Sequence, residues 1–586
     1  MNRRKIVFGL YFLVSVFGLL AQSRSFPDDL QERGYYNRPY KRYEAEFGKC
    51  TSNGRILSPT YLQTEVQCEA SNQTAIQLVG KDSYIQWMND EAADGMVVRF
   101  SIPDSPQGKG TKGTIALYCD GKFIQNIVLD SYWAWQYALL TGQTYPDNIP
   151  GDTKFARMRF DDIRIKLTNK IPQGAVFKLV KMDENEVPYT IDFVELEPVP
   201  DPVTFESVPD TNKVEYHPSA GALDVFIANN GGKTIYIPEG KYDVATRIYI
   251  QKSNTKIIGS GMWYTEFYFS ASSDDKSTYN QRGIESNQSN LVLEGLYLNT
   301  INNQRYYTND SRYQVGKGLM GSFGSNSVIS NVWIEHFECG GWIDGAQNLN
   351  ISHSRFRNNY ADGINLSFGS KNSVVEYCSF RNNGDDDMAS WSRGDEMCEN
   401  ITYQFCTAEN NWRASSVGFF GGKGHKALNL VILDPMEAGL RVTTDFPGRE
   451  FSPEGLILFD RISVYRAGGK KGRLGFYGDF IDGSESGAIH ITSYSQYDLR
   501  GIKFSNIDLY DSKWDAIFMD CKNGNKIERL YFQNILIDGT GRYGLSFNHA
   551  IGEANYCNLK FKNMGEKIEM ETLPKQFEFT KLTNCN

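Results

Sequence analysis

Short runs in which apolar and polar residues alternate fill residues 40–197 of the chain. Residues 96–100 (MVVRF) and 114–118 (TIALY) are two such runs, and turn signals such as Asp120-Gly121 separate them from their neighbours. Alternation with a period of two is typical of half-buried β-strands, and many short strands joined by turns are typical of a β-sandwich. The pattern therefore predicts a β-sandwich over residues 40–197.

An internal repeat replaces this alternation after residue 205. The segment 354–359 (SRFRNN) returns as 378–383 (CSFRNN), an offset of 24, and 406–411 (CTAENN) follows at a further offset of 28. Repeats of this length, with recurring Asn and no leucine-rich consensus, favour a parallel β-helix of about 14 coils that stack on one another. The competing architecture, a β-propeller, has a longer period of about 40–50 residues. Asn residues in register would form a side-chain amide ladder along the stack.

The two patterns meet at a proline-rich stretch, residues 198–204 (PVPDPVT). Each proline disfavours helix and removes a backbone donor, which predicts a stiff, extended linker. A short helix over residues 223–230 is expected to close the first end of the β-helix, before a strand at 234–238. The predicted fold class is all-β, with a β-sandwich followed by a parallel β-helix over residues 205–586.

The N-terminus has the pattern of a signal peptide. A basic group, residues 3–5 (RRK), precedes an uncharged and mostly apolar run at 6–21. We interpret residues 1–21 as a signal peptide cleaved near Ala21, and the alternative, a membrane anchor, is disfavoured because the run is short for a span. The sequence thus predicts a secreted, periplasmic or cell-surface protein without stable membrane insertion.

Composition narrows the classes of partner. The net charge is −9, and loss of the three basic residues with the signal peptide makes it −12. A chain this acidic is a poor partner for nucleic acid, and a polyanionic substrate is disfavoured. The ten cysteines do not form a dense framework; Cys50 and Cys68 are candidates to staple one hairpin of the sandwich. The cysteines of the Asn-rich repeats lack CxxC spacing, so we expect them to be buried and not to bind zinc.

Acidic residues recur in register with the repeat. The offset of 24 places Asp362 opposite Asp386, and Asp385 lies beside them. Adjacent strands lie about 4.8 Å apart, so the carboxylates would face each other and repel, which raises one pKa. A glycosidase needs one protonated carboxyl group and one ionised carboxylate. The alternative is an Asp-rich turn that is solvated or binds calcium.

Three tryptophans, Trp342, Trp391 and Trp412, lie within one or two coils of these acids. Aromatic faces beside acids suit sugar rings, although each Trp alone is more often part of the packing. We therefore expect Trp342, Trp391 and Trp412 to bind substrate.

The segments 361–365 (ADGIN), 380–386 (FRNNGDD) and 389–392 (ASWS) resemble the catalytic segment of glycoside hydrolase family 87, the α-1,3-glucanases and mycodextranases. The resemblance implies an inverting endo-hydrolase of α-glucan on a right-handed β-helix. We also expect a monomer that needs no cofactor for catalysis. The resemblance places Asp362, Asp385 and Asp386 at the catalytic positions. By similarity to β-helix polygalacturonases, Asp385 would be the general acid and the other two would hold the attacking water. The acid and the base would then lie about 6.5–9.5 Å apart.

The first domain resembles a family 35 carbohydrate-binding module in its first and last strands, residues 43–46 (YEAE) and 189–195 (YTIDFVE). The resemblance implies a structural calcium held by Glu44, Glu46 and Asp192, against the alternative of solvated acids at a strand edge. Trp133 and Trp135 are candidates for sugar contact. If the module only targets the enzyme, residues 205–586 alone should still cleave soluble oligosaccharides.

Three other functions stay open from the sequence. A β-helix polysaccharide lyase would bind calcium at the Asp cluster and use Lys or Arg as its base, and a polygalacturonase-like hydrolase would use the same acids on another substrate. A non-catalytic, glycan-binding β-solenoid would need no acids in register. The exact linkage also stays open.

Overall fold

The computed structural model describes residues 33–34, 38–46, 48–137, 150, 156–270, 282–305, 316–446, 448–469 and 485–585. The signal peptide predicted at 1–21 lies outside these residues. Within them the chain is almost entirely β-structure, as predicted, and no helix is long and apolar enough to cross a membrane.

Two antiparallel sheets form the predicted β-sandwich. The first sheet runs, in spatial order, Arg55–Leu57, Ala75–Leu78, Tyr189–Glu197, Ala93–Ser101 and Asp161–Ile171, with Lys41–Glu44 also paired to Tyr189–Glu197. The second runs Thr51–Ser52, Tyr84–Met88, Val176–Lys181, Lys112–Cys119 and Lys122–Asp130. Three 3-10 turns connect strands, at Val66–Glu69, Ser71–Gln73 and Ser131–Trp133. Inward side chains of both sheets, such as Ile85 and Val98, are fully buried between them.

Two parallel sheets form the second domain and confirm the predicted β-helix. The long sheet contains Lys213–Glu215, Thr234–Ile237, Gly240–Val244, Lys256–Gly259, Thr265–Phe269, Val292–Thr300, Val328–Glu335, Asn350–Ser352, Arg355–Arg357, Val374–Glu376, Ser379–Arg381, Thr402–Gln404, Thr407–Glu409, Lys426–Leu433, Ile457–Tyr465, Leu499–Ser512, Ile527–Thr540, Gly552–Lys562 and Phe577–Lys581. The short sheet contains Ile248–Tyr249, Ile284–Glu285, Leu319–Gly321, Gly341–Asp344, Ile364–Ser367, Met388–Trp391, Ser415–Phe420, Ala438–Thr443, Gly487–Ser493, Asp515–Cys521, Tyr543–Asn548 and Ile568–Met570.

A short helix, Leu223–Asn229, precedes Thr234–Ile237 as expected, and its buried Leu223 and Ile227 cover the first coil. A 3-10 turn lies before it at Pro218–Ala220. Because each coil supplies one strand to the short sheet, its 12 described strands indicate somewhat fewer coils than the roughly 14 predicted.

Equivalent residues stack from coil to coil in the way that the repeat predicts. Phe356 and Phe380 stack with ring centroids 5.2 Å apart. The amide of Asn382 donates to the side-chain oxygen of Asn358 at 2.8 Å, which is one rung of the predicted ladder. The cysteines of these repeats are buried and unpaired. The expected Cys50–Cys68 disulfide is wrong: both thiols are free, and the bond that forms joins Cys557 to Cys585 on the last coils.

The sandwich packs directly on the β-helix through a buried network of charges. Arg381 donates to Asp162 at 3.0 and 2.8 Å and to both carboxylate oxygens of Glu195 at 2.6 and 3.0 Å. Arg355 donates to Glu197 at 2.6 Å. Charges buried this deeply are tolerated only when they are paired and hydrogen-bonded. The network therefore holds the two domains together, and each domain supplies charges that the other needs.

The proline-rich stretch contains no helix or strand, and it is not a free spacer. The backbone N–H of Val199 donates to Asp94 at 2.9 Å, and that of Val203 donates to the carbonyl of Ser260 at 2.9 Å. Val199 itself is buried in a small apolar cluster that includes residues of both domains. The stretch is thus part of the interface between the domains.

Candidate active site

Asp362 and Asp386 lie one coil apart, at the points where two strands of the short sheet begin. Ile364 pairs with Met388 in the parallel ladder, and the N–H of Gly363 donates to the carbonyl of Asp386 at 3.0 Å. The offset of 24 therefore places the two aspartates next to each other, as predicted, because a coil of that length returns the chain to the same side of the β-helix.

Asp385 completes a group of three carboxylates. One oxygen from each of Asp362, Asp385 and Asp386 lies within 4.8 Å of the others. This approach is closer than the roughly 6.5–9.5 Å expected between an acid and a base that leave room for water. Asp362 and Asp386 are 6 % and 4 % exposed, whereas Asp385 is half-buried and faces the cleft.

Each carboxylate has different neighbours. Asp385 accepts hydrogen bonds from Arg305 at 2.8 Å and from Arg413 at 3.0 Å. Asp386 accepts from the N–H of Ser415 at 3.0 Å and from the Ser415 hydroxyl. The thiol of Cys339 lies 3.7 Å from Asp362.

These surroundings separate the proton affinities. Burial, together with repulsion from the other two aspartates, raises the pKa of Asp362 well above its usual range. Burial and the charge of Asp385 raise the pKa of Asp386 to about 6. Against burial, Arg413 and Arg305 hold the pKa of Asp385 below its ordinary value. These shifts make Asp362 the stronger and Asp385 the weaker proton acceptor of the three, which is the opposite order to the one that a general acid at Asp385 would favour.

Asp387 faces away from the cleft. It is fully buried, and the amide of Asn383 donates to it at 2.8 Å. The short sequence of three acids thus divides into two that reach the cleft and one that lies in the interior.

Trp412 does not bind substrate, contrary to the expectation from the sequence. Only 1 % of the residue is exposed, and it packs in an apolar cluster with Tyr360 and with Met158 of the sandwich. Its ring lies against Gly384, where a Cβ would come within 2.1 Å of the ring. Trp412 therefore supports the turn that carries Asp385 and has no face open to a sugar.

Trp342 and Trp391 lie where a sugar can reach them. Both are half-buried on the outer face of the short sheet, with their rings perpendicular and 6.1 Å apart. Trp342 pairs in register with Asn365, and Trp391 pairs with Ser367, on the strand that follows Asp362. The guanidinium of Arg393 lies 5.4 Å from each ring. Trp391 also pairs in register with Phe420, which lines the cavity beside Asp385 and Asp386.

The sequence did not reveal the residues that line the cleft on the side of the later coils. The cavity beside Asp385 and Asp386 is lined there by Arg413, Glu437, Arg441, Thr443, Asp445, Phe446, His490 and Tyr494, among others. Arg441 pairs in register with His490, although a long segment of the chain separates them. Their separation exceeds the offsets of 24 and 28 seen in the repeat, and this explains why the repeat did not reveal the pairing.

Gly418 opens the cleft next to Asp386. A Cβ at this position would lie 2.9 Å from the Oδ2 atom of Asp386 and 2.7 Å from the ring of Phe420. The close approach of the carboxylate to the strand therefore requires glycine here.

The acids expected to bind calcium in the sandwich meet around the turn Ser71–Gln73. The N–H of Ser71 donates to both oxygens of Asp192 at 3.1 Å, its hydroxyl donates to Glu44 at 3.2 Å, and Asn72 donates to Glu46. Arg99 also donates to Asp192 at 2.8 Å. One buried oxygen of Glu44 has no hydrogen-bond partner among the described residues. A set of oxygen donors with one unsatisfied atom fits calcium chemically.

Trp133 and Trp135, the candidates for sugar contact in the sandwich, lie apart from these acids. Trp133 donates to the carbonyl of Thr300 at 3.0 Å and stacks on His336 of the β-helix. Trp135 donates to the carbonyl of Ile102 at 2.8 Å. Trp133 therefore contributes to the interface between the domains.

Two family descriptions match the chain, and together they span both domains. Residues 37–199 match the α-1,3-glucanase catalytic domain D1, and residues 214–585 match the α-1,3-glucanase catalytic domain D2. No curated protein matches the chain.

Solved structures share the whole architecture. The Agl-KA catalytic domain is 29% identical, with a TM-score of 0.81 over 94% of this chain and 98% of that chain. The catalytic domain of a glycoside hydrolase family 87 α-1,3-glucanase in complex with nigerose is 23% identical, with a TM-score of 0.79 over 93% and 98%. The catalytic unit of a thermostable α-1,3-glucanase of that family from Streptomyces thermodiastaticus is 20% identical, with a TM-score of 0.74 over 93% and 98%. Since the D2 match alone covers more than half of the residues, the chain belongs to the family of α-1,3-glucanase catalytic domains.

Proposed function

We propose that the protein hydrolyses α-1,3-glucosidic bonds within α-glucan, with inversion at the anomeric carbon. The observation that carries this proposal is the group of three carboxylates, with one oxygen of each within 4.8 Å of the others, beside a cavity that Asp385 and Asp386 line. A carboxyl group that keeps its proton and a carboxylate that stays ionised are what glycoside hydrolysis needs.

Relatives support the choice of substrate and residues. A family 87 α-1,3-glucanase has been solved with nigerose and with tetrasaccharides. Its solved variants include three in which a single aspartate is replaced by alanine, two at consecutive positions and one 23 positions earlier. Asp362, Asp385 and Asp386 have the same spacing.

The proton affinities suggest a division of roles that differs from the one expected by similarity. We assign proton donation to the leaving oxygen to Asp362, because burial and the two neighbouring aspartates raise its pKa well above the usual range. Asp385, ionised between Arg305 and Arg413 and facing the cleft, activates the attacking water. Asp386, hydrogen-bonded to Ser415 and with one oxygen within 4.8 Å of the other two carboxylates, helps to hold the attacking water.

The substrate is tested by incubating the full-length enzyme with insoluble α-1,3-glucan, mixed α-1,3/1,4-glucan, dextran and pectate. We expect new reducing ends from the α-1,3-linked substrates, and proton NMR of the first products should show β-anomers. Reducing ends from pectate alone would indicate a polygalacturonase-like hydrolase. Ultraviolet absorbance from unsaturated ends that chelator abolishes would establish a lyase, and initial α-anomers would overturn inversion.

The roles are tested with the three Asp→Asn variants. A variant that lacks the acid regains turnover when the leaving group is a good one, such as nitrophenol on an α-1,3-linked oligosaccharide. A variant that lacks the base regains turnover when azide replaces the activated water. We expect rescue by the leaving group for Asp362→Asn and by azide for Asp385→Asn, and the reverse pattern would restore Asp385 as the acid.

We also propose that Glu44, Glu46 and Asp192 hold a structural calcium ion, as the resemblance to a family 35 module implies. Burial and mutual repulsion raise the pKa of Glu44 to about 8, burial raises that of Asp192 to about 7, and a bound cation would favour the charged form of both. Calcium should raise the melting temperature of chelator-treated enzyme, and Glu46→Gln should abolish that rise. An unchanged melting temperature would leave these acids as parts of the hydrogen-bonded turn alone.

Export is proposed from residues 1–21. N-terminal sequencing of protein recovered outside the cytoplasm should begin near residue 22, and an intact Met1 would contradict it.

A further inference from the structure

A row of four residues holds the same place on successive coils of the β-helix, where strands of the short sheet begin. The parallel ladder aligns these coils at Gly341, Ile364, Met388 and Val417. The residues two positions earlier on each coil form the row, which runs Cys339, Asp362, Asp386 and Ser415. The residue after each of the first three donates its backbone N–H to the carbonyl of the next member at 3.0 Å. The two aspartates therefore lie between a thiol on the earlier coil and a hydroxyl on the later one.

Each of these neighbours donates a hydrogen bond to the aspartate beside it. The thiol of Cys339 donates to the Oδ2 atom of Asp362 at 3.7 Å, and no other side chain in the described part of the chain donates to this carboxyl group. Ser415 donates twice to the Oδ1 atom of Asp386, from its N–H at 3.0 Å and from its hydroxyl. Cys339 is 1 % exposed and Ser415 is fully buried, so both donors act on the acids without contacting solvent or substrate.

The two donors differ in strength. A thiol is a weak donor, whereas O–H and N–H groups form short, strong hydrogen bonds to a carboxylate. Because such bonds favour the ionised form of an acid, Ser415 should counteract the burial of Asp386 more than Cys339 counteracts that of Asp362. Burial, followed by the charge of Asp385, raises the pKa of Asp386 to about 6. Burial and the other two aspartates raise the pKa of Asp362 well above its usual range, in agreement with the weaker donor.

The thiol keeps its proton and so remains a donor. Burial, followed by the charges of Asp362 and Glu338, raises the pKa of Cys339 well above its usual range. Lys317 is nearby, but it pairs with Glu338 at 3.0 Å. The reactive thiolate is therefore disfavoured at this place, and hydrogen bonding is the role that the surroundings leave to Cys339.

Other titratable and charged groups also face the two acids. Among the described residues they are Asp385, Arg305, Arg441 and the buried phenol of Tyr403. Arg305 acts on Asp362 and Arg441 acts on Asp386, so each acid has an arginine among its strongest neighbours. The donor within the row is thus a difference between the two acids that a single substitution can exchange.

We propose that Cys339 and Ser415 are positioning residues that hold the two acids in different protonation states. The weak thiol donor holds Asp362 in place without favouring the loss of its proton, and Ser415 holds Asp386 as a carboxylate. The inference rests on the proposed function, and it adds the residues that set the range of pH in which the acids can work together. A stronger donor beside Asp362 should narrow this range on the alkaline side, and a missing donor beside Asp386 should narrow it on the acidic side.

The first test compares Cys339→Ser with Cys339→Ala in the full-length enzyme. Serine supplies a stronger donor, toward which the carboxyl group must turn because the side chain is shorter, and alanine supplies none. The alkaline limb of kcat/KM against pH, where the general acid loses its proton, should move down by about one pH unit in Cys339→Ser. In Cys339→Ala it should stay in place or move up. Cys378→Ser is the matched control, since that buried thiol donates to the carbonyl of Glu376 at 3.2 Å, and both limbs should stay in place.

The second test uses Ser415→Ala. Asp386 keeps the N–H donor but loses the hydroxyl donor, so its carboxylate form is less favoured. The acidic limb of kcat/KM against pH should therefore move to higher pH, while the alkaline limb changes little. The shift is thus expected on the opposite side of the profile from that of Cys339→Ser.

A measurement without substrate separates this inference from the proposed function. Folding raises the pKa of Asp362, so its contribution to stability is greatest below about pH 3.8 and is lost as the pH rises. Cys339→Ser should lose less unfolding free energy than Cys339→Ala between pH 3.5 and pH 7, because its hydroxyl stabilises the carboxylate form.

Several results would contradict these roles. An unmoved alkaline limb in Cys339→Ser, or equal losses of unfolding free energy in the two Cys339 variants, would overturn the role of the thiol. An unmoved acidic limb in Ser415→Ala would overturn that of the hydroxyl. Equal losses of kcat in both Cys339 variants, with unmoved limbs and lower melting temperatures, would show that Cys339 only packs. A wild-type enzyme that is inactive on every α-1,3-linked substrate would instead contradict the proposed function, and the stability comparison would then decide the role of the thiol.

Discussion

Arg381 of the β-helix and Glu195 of the sandwich form a buried, two-pronged ion pair, at 2.6 and 3.0 Å, shortly before Asp385 in the chain. Glu195 also accepts from Arg357 at 3.2 Å and from Arg42 at 2.7 Å. One carboxylate of the first domain thus contacts three arginines behind the catalytic turn, and Asp162 and Glu409 supply further negative charge to them. The match of the sandwich to an α-1,3-glucanase catalytic domain D1 agrees with this close association.

Replacement of Glu195 by Gln should destabilise the protein by about 3–5 kcal/mol, because it removes one of the negative charges that balance the buried arginines. Arg381 and its neighbours hold the pKa of Glu195 well below its ordinary value, so the carboxylate stabilises the fold above about pH 4.5, and that stability is lost as the pH falls. Chemical denaturation at pH 7 and at pH 3.5 should therefore show a large difference from the wild type at the higher pH and a smaller one at the lower. Glu184→Gln, in the exposed pair with Lys81, should change nothing measurable.

Removal of residues 1–204 should abolish activity on soluble oligosaccharides as well as on insoluble glucan. This reverses the expectation of a tethered targeting module, because truncation exposes Arg355, Arg357 and Arg381 and uncovers Trp412 behind the catalytic turn. Circular dichroism and reducing-end assays on residues 205–586 provide the check. A folded fragment with full activity on soluble substrates would show that the sandwich only targets the enzyme.

Asp386→Asn should lose turnover by about 10²–10⁴-fold yet be more stable than the wild type at pH 7. Because folding raises the pKa of Asp386 from its ordinary 3.8 to about 6, wild-type stability falls as the pH rises between these values, by about 3 kcal/mol in total. The variant has no carboxyl group here and does not lose this stability. The difference in unfolding free energy between the two proteins, measured by denaturation at pH 3.5 and pH 7, should therefore increase as the pH rises. A constant difference would contradict the raised pKa.

Gly418→Ala should lower kcat strongly with only a modest effect on stability. The added methyl group would press on the Asp386 carboxylate and on Phe420, so the carboxylate must move away from its Ser415 partner. Gly80→Ala is the matched control, since a Cβ there meets no atom within 4 Å. The measurements are the steady-state kinetics and melting temperatures of the two variants. Equal activity in both would show that the reaction tolerates a displaced Asp386 carboxylate.

The repeat in the sequence determined the architecture and the central pair of the site. One coil converts the offset of 24 along the chain into adjacency across one rung, so Asp362 and Asp386 could be placed together from the repeat alone. The same regularity accounts for the Asn ladder and for the buried cysteines of the repeats. Local turn and helix signals likewise sufficed for the capping segment at Leu223–Asn229.

Contacts between distant segments determine the properties of the site that the sequence repeat does not encode. Trp412 is interior because Met158, which belongs to the other domain, packs on it, and Asp385 is ionised because Arg305, from a much earlier coil, reaches it. Arg441 and His490 share a row only because the coil between them is unusually long. Burial and charge pairing depend on which distant segments meet, and proton affinity follows from both. The sequence alone could therefore locate the carboxylates of this site, but the difference in their proton affinities depends on the folded chain.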